Sequence, residues 1–270
     1  MGLKDMRKII KNSPILLLIY RFFNEAVDIR KIVFFVPNFA HYLSTIVEYV
    51  RIGKPQGLGR VILFPKIHDR TETTSVDPHY FYQGHWAFKR VVSSKVATHY
   101  DVGSQIDFVR YLSVILPVVF IDIRPIERPL ENLKCVRGSI LESGFASGSI
   151  LSISCLHVIE HIGLGRYGDP IDPLGSEKAA LELGRILAPG GRLYLSTPVG
   201  RPRIEFNAHI IRTPSQVVDL FSSLQLVEFS AVTDDGQFVE NATMESLSGA
   251  NYACGLFVFT KLPKPNPEAA

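Results

Sequence analysis

Within "SCLHVIEHI" (Ser154 to Ile162), His157, Glu160 and His161 fall inside five positions. Two imidazoles one helical turn apart can hold zinc while a glutamate activates the bound water, which is the chemistry of the HxxEH order in one class of metalloprotease. The same groups can act as proton carriers at the mouth of an α/β fold, provided that "ILSIS" just before them is a buried strand. The continuation argues against zinc. "HVIEHIGLGRYGDP" meets Gly163, Gly165, Gly168 and Pro170, which limit any helix to about two turns, and no third ligand stands nearby. Asp77, His79 and His85 have metal-compatible side chains without regular ligand spacing, so no metal site is assigned. A plainer reading makes His157 and His161 satisfied polar residues of a helix start, with Glu160 complementing its dipole. Their place at a strand end favours the functional reading.

The elements around them support that place. From about Lys95, β-branched runs such as "VATHYDV", "PVVFIDI" and "SILSISCL" alternate with helix-length segments such as "SEKAALELGRIL". This alternation predicts a doubly wound, mainly parallel sheet with ligand sites at the carboxyl ends of its strands. Four strand ends then carry chemistry in order. "YDVGS" offers Gly103 for a tight turn, with Asp101 beside it. "VVFIDIRP" ends on Asp122, 19 residues after Gly103, where an acidic side chain can hold an adenosine ribose. "RGSI" places Ser139 where an adenine would lie, and the fourth strand opens onto the histidine motif. His209, in "FNAH", follows the fifth strand and can reach the same mouth. The loop "GLGRYGDPIDP" is turn-rich, and its Arg166, Tyr167, Asp169 and Asp172 are candidates to grip polar groups of a substrate such as a sugar.

The chain has 270 residues, 46% of them hydrophobic and 20% charged, with a net charge of +3, which is ordinary for a globular protein. The charge is too mild, and too free of basic runs, to predict a nucleic-acid partner. Cys135, Cys155 and Cys254 are odd in number and widely spaced, which points to thiols in a reducing, cytoplasmic setting. "PILLLIY" is too short to span a bilayer. The first fifty residues read as two helices that either cap the main domain or make peripheral contact with a membrane surface; most amphipathic segments pack on protein, which favours the cap. The aromatic stretch "DPHYFYQGHWAF" reads as a helix packed on the sheet in preference to a substrate lid. The expected organisation is a helical extension over residues 1–94, an α/β domain over 95–262, and a proline-rich flexible tail over 263–270.

"DVGS", "FIDIRP", "SCLHVIEH" and "LGRILAPGGRLYLSTP", in this order and spacing, resemble the class I S-adenosylmethionine-dependent methyltransferases over about residues 95 to 262. "DPHYFYQGHWA", "LHVIEHIGLGRYGDPIDP" and "EFNAH" resemble more narrowly a methyltransferase-like family known only as a domain of unknown function and often found with glycan-assembly genes. The resemblance implies a seven-stranded Rossmann-like sheet with a turn at Pro189, Gly190 and Gly191. It also implies S-adenosylmethionine as cofactor, bound by Asp101, Gly103, Ser104, Asp122, Ser139 and Leu156. The implied reaction is methyl transfer to a small-molecule or glycan hydroxyl, with His161, His157, Glu160 and His209 as base candidates. The first loop departs from the pattern, since "GSQID" puts Gln105 and Asp107 where two glycines are usual, and a side chain at either is expected to crowd the methionine part of the cofactor or re-route the loop. That departure supports an alternative, a degenerate methyltransferase fold serving as a non-catalytic scaffold in glycan assembly. An adenosine-cofactor oxidoreductase is disfavoured because the first loop is poor for a pyrophosphate.

Overall fold

The computed structural model describes residues 13–53, 62–128, 130–247 and 249–263. They divide into two compact units, Met1–Ser75 and Val76–Ala270. The first unit contains helix α1 (Pro14–Ala26), started by Ser13 accepting from the Leu16 amide with Pro14 in the first turn, a serine cap followed by proline being a strong helix start. Helix α2 (Ile29–Ile52) follows and continues through Pro37, although proline removes one N–H from the ladder. Both expected helices are therefore present. Ile15, Phe22, Val36 and Val50 are exposed on them, and among the described residues no helix is long and apolar enough to cross a membrane. The "GKPQGLGR" connection, from Lys54 onward, and the tail 264–270 lie outside the described residues.

The second unit begins at Val76, earlier than the expected boundary at residue 95, because helix α3 (Pro78–Ser93) is part of its core. Asp77 caps α3 by accepting from the amides of His79 and Tyr80. Trp86, Ala87 and Val91 are buried against the sheet, and the Trp86 indole N–H donates to Glu228 Oε1 at 3.3 Å. The aromatic stretch thus packs as expected, while its first turn also reaches the candidate site described below.

Next come β1 (His99–Val102), α4 (Ile106–Leu112), β2 (Val118–Asp122), β3 (Leu133–Arg137), β4 (Ile150–Leu156), α5 (Gly175–Ile186), β5 (Leu187–Val199), β6 (Arg203–Glu205), β7 (His209–Ile211), α6 (Pro214–Leu220), β8 (Gln225–Val232), β9 (Phe238–Val239) and β10 (Ala253–Thr260). The main sheet runs β3-β2-β1-β4-β5-β10-β8-β9, and β6 with β7 forms a separate hairpin. The first five strands are mutually parallel, whereas β10 is antiparallel to both neighbours. One face packs on α5 and α6, through residues such as Leu183 and Val217. The other packs on α3 and α4, through Trp86, Phe108 and Leu112.

Seven strands were expected and eight are found, because Phe238–Val239 folds back on β8 as a two-residue edge. The turn expected at Pro189, Gly190 and Gly191 is a bulge inside a continuous β5. Leu187 faces Ile150 and Arg192 faces Ser152, so the three residues are surplus to the ladder. Gly190 has φ +74°, and an added Cβ on Gly191 would stand 2.9 Å from the Ala188 carbonyl oxygen, which is why glycine occupies both places.

The order reverses between β1 and β4, so the loops after β1 and β4 leave in opposite directions and open a crevice at their carboxyl ends. The register aligns Val102 with Ile121 and Asp122 with Arg137. Gly103, Asp122, Gly138 and His157 accordingly converge on one edge.

Candidate functional site

The loop after β1 is held from below. Gly103 adopts φ +60° and its amide donates to the Ile121 carbonyl at 2.9 Å. Asp101 is fully buried, accepting from the Ser104 amide through Oδ1 at 3.0 Å and from the Ser154 hydroxyl through Oδ2. His99 joins the same chain through Ser152 at 2.7 Å and Ser154 at 2.9 Å. Burial raises the Asp101 pKa to about 6, against the hydrogen bonds from Ser104 and Ser154, and burial lowers that of His99 to about 3. Asp101 therefore fixes the loop and does not face the cleft, a correction to its expected place on the cofactor. Its partner Ser104 does face the cleft and also accepts from the Leu156 amide through Oγ at 3.1 Å.

Two joined lobes make up the cleft. A cavity of about 240 Å³ is walled by Gly103, Asp122, Ser139, Ile140, His157 and His161, among others. A wider lobe of about 570 Å³ continues past Tyr80, Ser104, Gln105 and Leu156. Gly103, Asp122, Arg124, His157 and Tyr167 border both. Asp122 Oδ1 accepts from the Arg124 amide at 2.6 Å, and its Oδ2 would lie 3.6 Å from a Cβ placed on Gly103. Ser139 caps a short turn by accepting from the Leu141 amide at 3.2 Å. Of the two departures in "GSQID", only Gln105 borders this cleft. Asp107 points elsewhere, pairing with Arg110 at 2.7 Å on the exposed side of α4, so the crowding expected from it does not arise.

The histidine motif forms a single 3₁₀ turn, Ile159–His161, and not an α-helix. His157 has φ +53°, a strained setting for a residue with a Cβ. Its amide donates to the carbonyl and hydroxyl oxygens of Ser196, each at 3.0 Å. Its Nδ1 pairs with Glu160 Oε1 at 2.6 Å, while its Nε2 is buried without a nitrogen or oxygen partner. Burial opposes charge on His157, but Cys254 and Glu160 outweigh it and hold the ring well above its ordinary pKa. Burial also opposes charge on Glu160, and His157 outweighs it to keep the carboxylate low. His161 donates through Nδ1 to the Ala208 carbonyl at 2.5 Å and brings Nε2 to 3.9 Å from Glu160 Oε1.

Of the four base candidates, His157 and His161 line the cavity. Glu160 lies fully buried beneath them and can act only through their rings. His209 stands behind His161, ring centres 6.4 Å apart, with Nε2 at 3.2 Å from Glu205 Oε2; burial lowers its pKa.

The "GLGRYGDPIDP" loop is organised by its own acids. Asp169 accepts from the amides of Gly163 at 2.9 Å, Gly165 at 3.3 Å and Tyr167 at 3.2 Å. Asp172 accepts from the Leu174 amide at 3.0 Å and pairs with Lys178 at 2.6 Å. It does not line the cleft, so its expected grip on a substrate is replaced by a role in starting α5. Arg166 donates to the Ala208 carbonyl at 3.2 Å. Tyr167 remains on the cavity wall, and the Arg124 guanidinium lies 4.3 Å from its ring centre.

Sequence spacing missed the aromatic shell. His79 stacks on His157 at 5.5 Å and on Tyr252 at 5.3 Å, Tyr80 leans on His157 at 5.3 Å, and Tyr252 meets His209 at 4.9 Å. Burial and the neighbouring His157 lower the His79 pKa to about 4, which leaves it neutral at neutral pH.

A family model described as "Caenorhabditis protein of unknown function, DUF268" matches residues 146–262, a stretch that carries the histidine motif. No curated protein matches the chain. Among solved structures, the N-methyltransferase NodS from Bradyrhizobium japonicum WM9 is 18% identical with a TM-score of 0.50, covering 69% of this chain and 98% of its own. A protein from Galdieria sulphuraria, provisionally assigned as a sarcosine dimethylglycine methyltransferase, is 14% identical with a TM-score of 0.51, covering 67% of this chain and 86% of its own. The second unit thus has the Rossmann-like fold of the class I methyltransferases.

Proposed function

We propose that this chain is an S-adenosylmethionine-dependent methyltransferase acting on a hydroxyl of a small molecule or glycan. The observation that carries the reading is Asp122, a carboxylate at the end of β2 whose Oδ2 lies beside Gly103 in a cavity that His161 also lines. The residues fit such a cofactor. Ile121, Ile140 and Leu141 supply an apolar wall for an adenine beside Ser139, Asp122 can accept from both ribose hydroxyls, and Gly103, Ser104 and Leu156 border the wider lobe where an amino-acid portion would extend. When bound, the cofactor supplies a methyl group made electrophilic by its sulfonium sulfur. His161 accepts the acceptor hydroxyl proton at Nε2, its ring aligned by the Ala208 carbonyl. Val158 and Ile162 line the cavity beside it with apolar surface. Tyr80 and Tyr167 offer flat faces and hydroxyls suited to a sugar ring.

Asp122→Ala is expected to weaken S-adenosylmethionine binding by about 1 to 3 kcal/mol, the loss of hydrogen bonds to a charged acceptor. Calorimetric titration of wild type and variant measures it, and equal affinities in two folded proteins would remove Asp122 from the site. No binding of the cofactor or its demethylated product to wild type would instead favour the scaffold, a reading supported by the Gln105 side chain at the cleft border.

We also propose that α1 and α2 make peripheral membrane contact, a reading supported by exposed apolar residues such as Ile15, Phe22 and Val36. Sedimentation with phospholipid vesicles is expected to carry down the wild type and much less of a Phe22→Ser/Val36→Ser variant. Equal recovery of both in the supernatant would leave the apolar surface to a protein partner.

A further inference from the structure

We propose that His79, His157 and Cys254 form a binding site for one zinc-class divalent ion, distinct from the HxxEH pairing that the sequence argues against. One ligand atom from each lies within 4.8 Å of those of the other two. The three come from the first turn of α3, the end of β4 and the start of β10, so no local spacing could have revealed them.

The strongest observation is the His157 Nε2 atom. It is buried without a nitrogen or oxygen partner and meets only the weakly hydrogen-bonding thiol of Cys254, which leaves a polar group removed from water poorly satisfied. Its other nitrogen is committed to Glu160 at 2.6 Å. A carboxylate on the far nitrogen of a histidine is the outer arrangement that orients a metal-bound imidazole, fixing its tautomer and raising its basicity. Ser196, donating none of its groups to the ring but accepting twice from the His157 amide, holds the backbone in its strained φ. The ring is thus held in one orientation with a bare nitrogen directed at a thiol and a second imidazole.

The ligand types agree with the metal class. Two imidazoles and a thiolate suit zinc, and a three-ligand set leaves a fourth position for water or an oxygen ligand. Tetrahedral zinc with nitrogen and sulfur ligands brings those atoms to about 3.5 Å from one another. Closing from 4.8 Å asks for about 1 Å of movement, and His79 can supply it, being half-buried on the first turn of a helix. The same partial exposure gives the ion an entry path, while Cys254 and His157 close the inner side. On binding, the ion displaces two protons to solvent, that of the Cys254 thiol and the one Glu160 favours on the His157 ring, and takes lone pairs from the two neutral imidazoles, so the ligand set carries a single negative charge.

Metal analysis of the full chain, purified without chelators, is expected to find one zinc per chain. After chelation and dialysis, Co²⁺ is expected to restore one equivalent, with visible ligand-field bands and a near-ultraviolet thiolate-to-cobalt charge-transfer band. Cys254→Ser is expected to abolish that band. His79→Gln, at a half-exposed position that should not disturb folding, is expected to weaken Co²⁺ binding by at least about tenfold, and Glu160→Gln by about 10- to 100-fold. His161→Ala is expected to leave metal binding unchanged. The proposal is overturned if folded wild type takes up neither ion, or if Cys254→Ser and His79→Gln bind Co²⁺ as wild type does, which would mark an adventitious ion only. It is equally overturned if His161→Ala abolishes binding while His79→Gln does not, which would return the metal to the HxxEH pair.

Discussion

His161→Ala is expected to lower turnover by about 10²- to 10⁴-fold, the usual contribution of a positioned base, while leaving S-adenosylmethionine affinity nearly unchanged. The split follows from where the side chain sits. Its Nδ1 is spent on the Ala208 carbonyl at 2.5 Å, so the proton resides there and Nε2 presents a lone pair. Glu160 Oε1 lies 3.9 Å from that atom. His161 borders the same cavity as Asp122 and Tyr167, but in the reading proposed above the cofactor is held by Gly103, Ser104, Asp122 and Ser139. Removing the imidazole therefore removes a proton acceptor and little of the cofactor's binding surface. Methyl transfer to a panel of glycan-type acceptors, with calorimetry on the same protein, separates the two effects. Affinity falling in step with turnover would make His161 a binding residue. Unchanged turnover would remove His161 from the proposed base role.

The convergence of Asp122, Gly103 and Ser139 on one cavity was legible in the sequence because a parallel sheet delivers every strand end to one edge, and counting from a glycine turn locates the next strand end. The histidine motif was legible for the same reason. What the chain pattern could not convey was which polar groups turn inward. Asp101 and Asp122 both stand at or next to the end of a strand, yet the register pairs Asp101 with Ser154 on the neighbouring β4, so its carboxylate serves the loop from beneath. Asp172 follows the same pattern. It stands in a loop dense with polar groups, and its oxygens are taken by the Leu174 amide and Lys178. His79 and Tyr252 were not legible as site residues because their approach to His157 depends on how α3 crosses the sheet and where β10 inserts between β5 and β8. These are tertiary facts with no local period. One signal was available for α3: Asp77 followed by Pro78 marks a helix start, and that start places His79 and Tyr80 in its first turn.

Gly163→Ala is expected to destabilise the second unit by about 3 kcal/mol or more, near the upper range for single substitutions. Gly163 has φ +90°, and a Cβ there would stand 2.0 Å from the Asp172 carbonyl oxygen. That oxygen is main chain and cannot swing aside as a flexible side chain would. The position is also tied on both sides, its amide donating to Asp169 Oδ2 at 2.9 Å and its carbonyl accepting from the Asp172 amide at 2.9 Å. Gly175 packs against it so closely that a Cβ on Gly175 would come within 3.0 Å of the Gly163 Cα. Relaxing the clash must therefore open the Asp172 contact, loosen the loop that presents Tyr167, and shift the start of α5. Gly168→Ala is the control, because Gly168 has φ +88° but nothing within 4 Å of its added Cβ; it is expected to show only the left-handed backbone cost, about 1 to 2 kcal/mol. Trp86 is the single tryptophan and lies in the core of this unit, so urea unfolding followed by its fluorescence reads both variants in one place. Equal midpoints for the two would mean that the Gly163 crossing relaxes without loss, and that Asp169 alone carries the order of the loop.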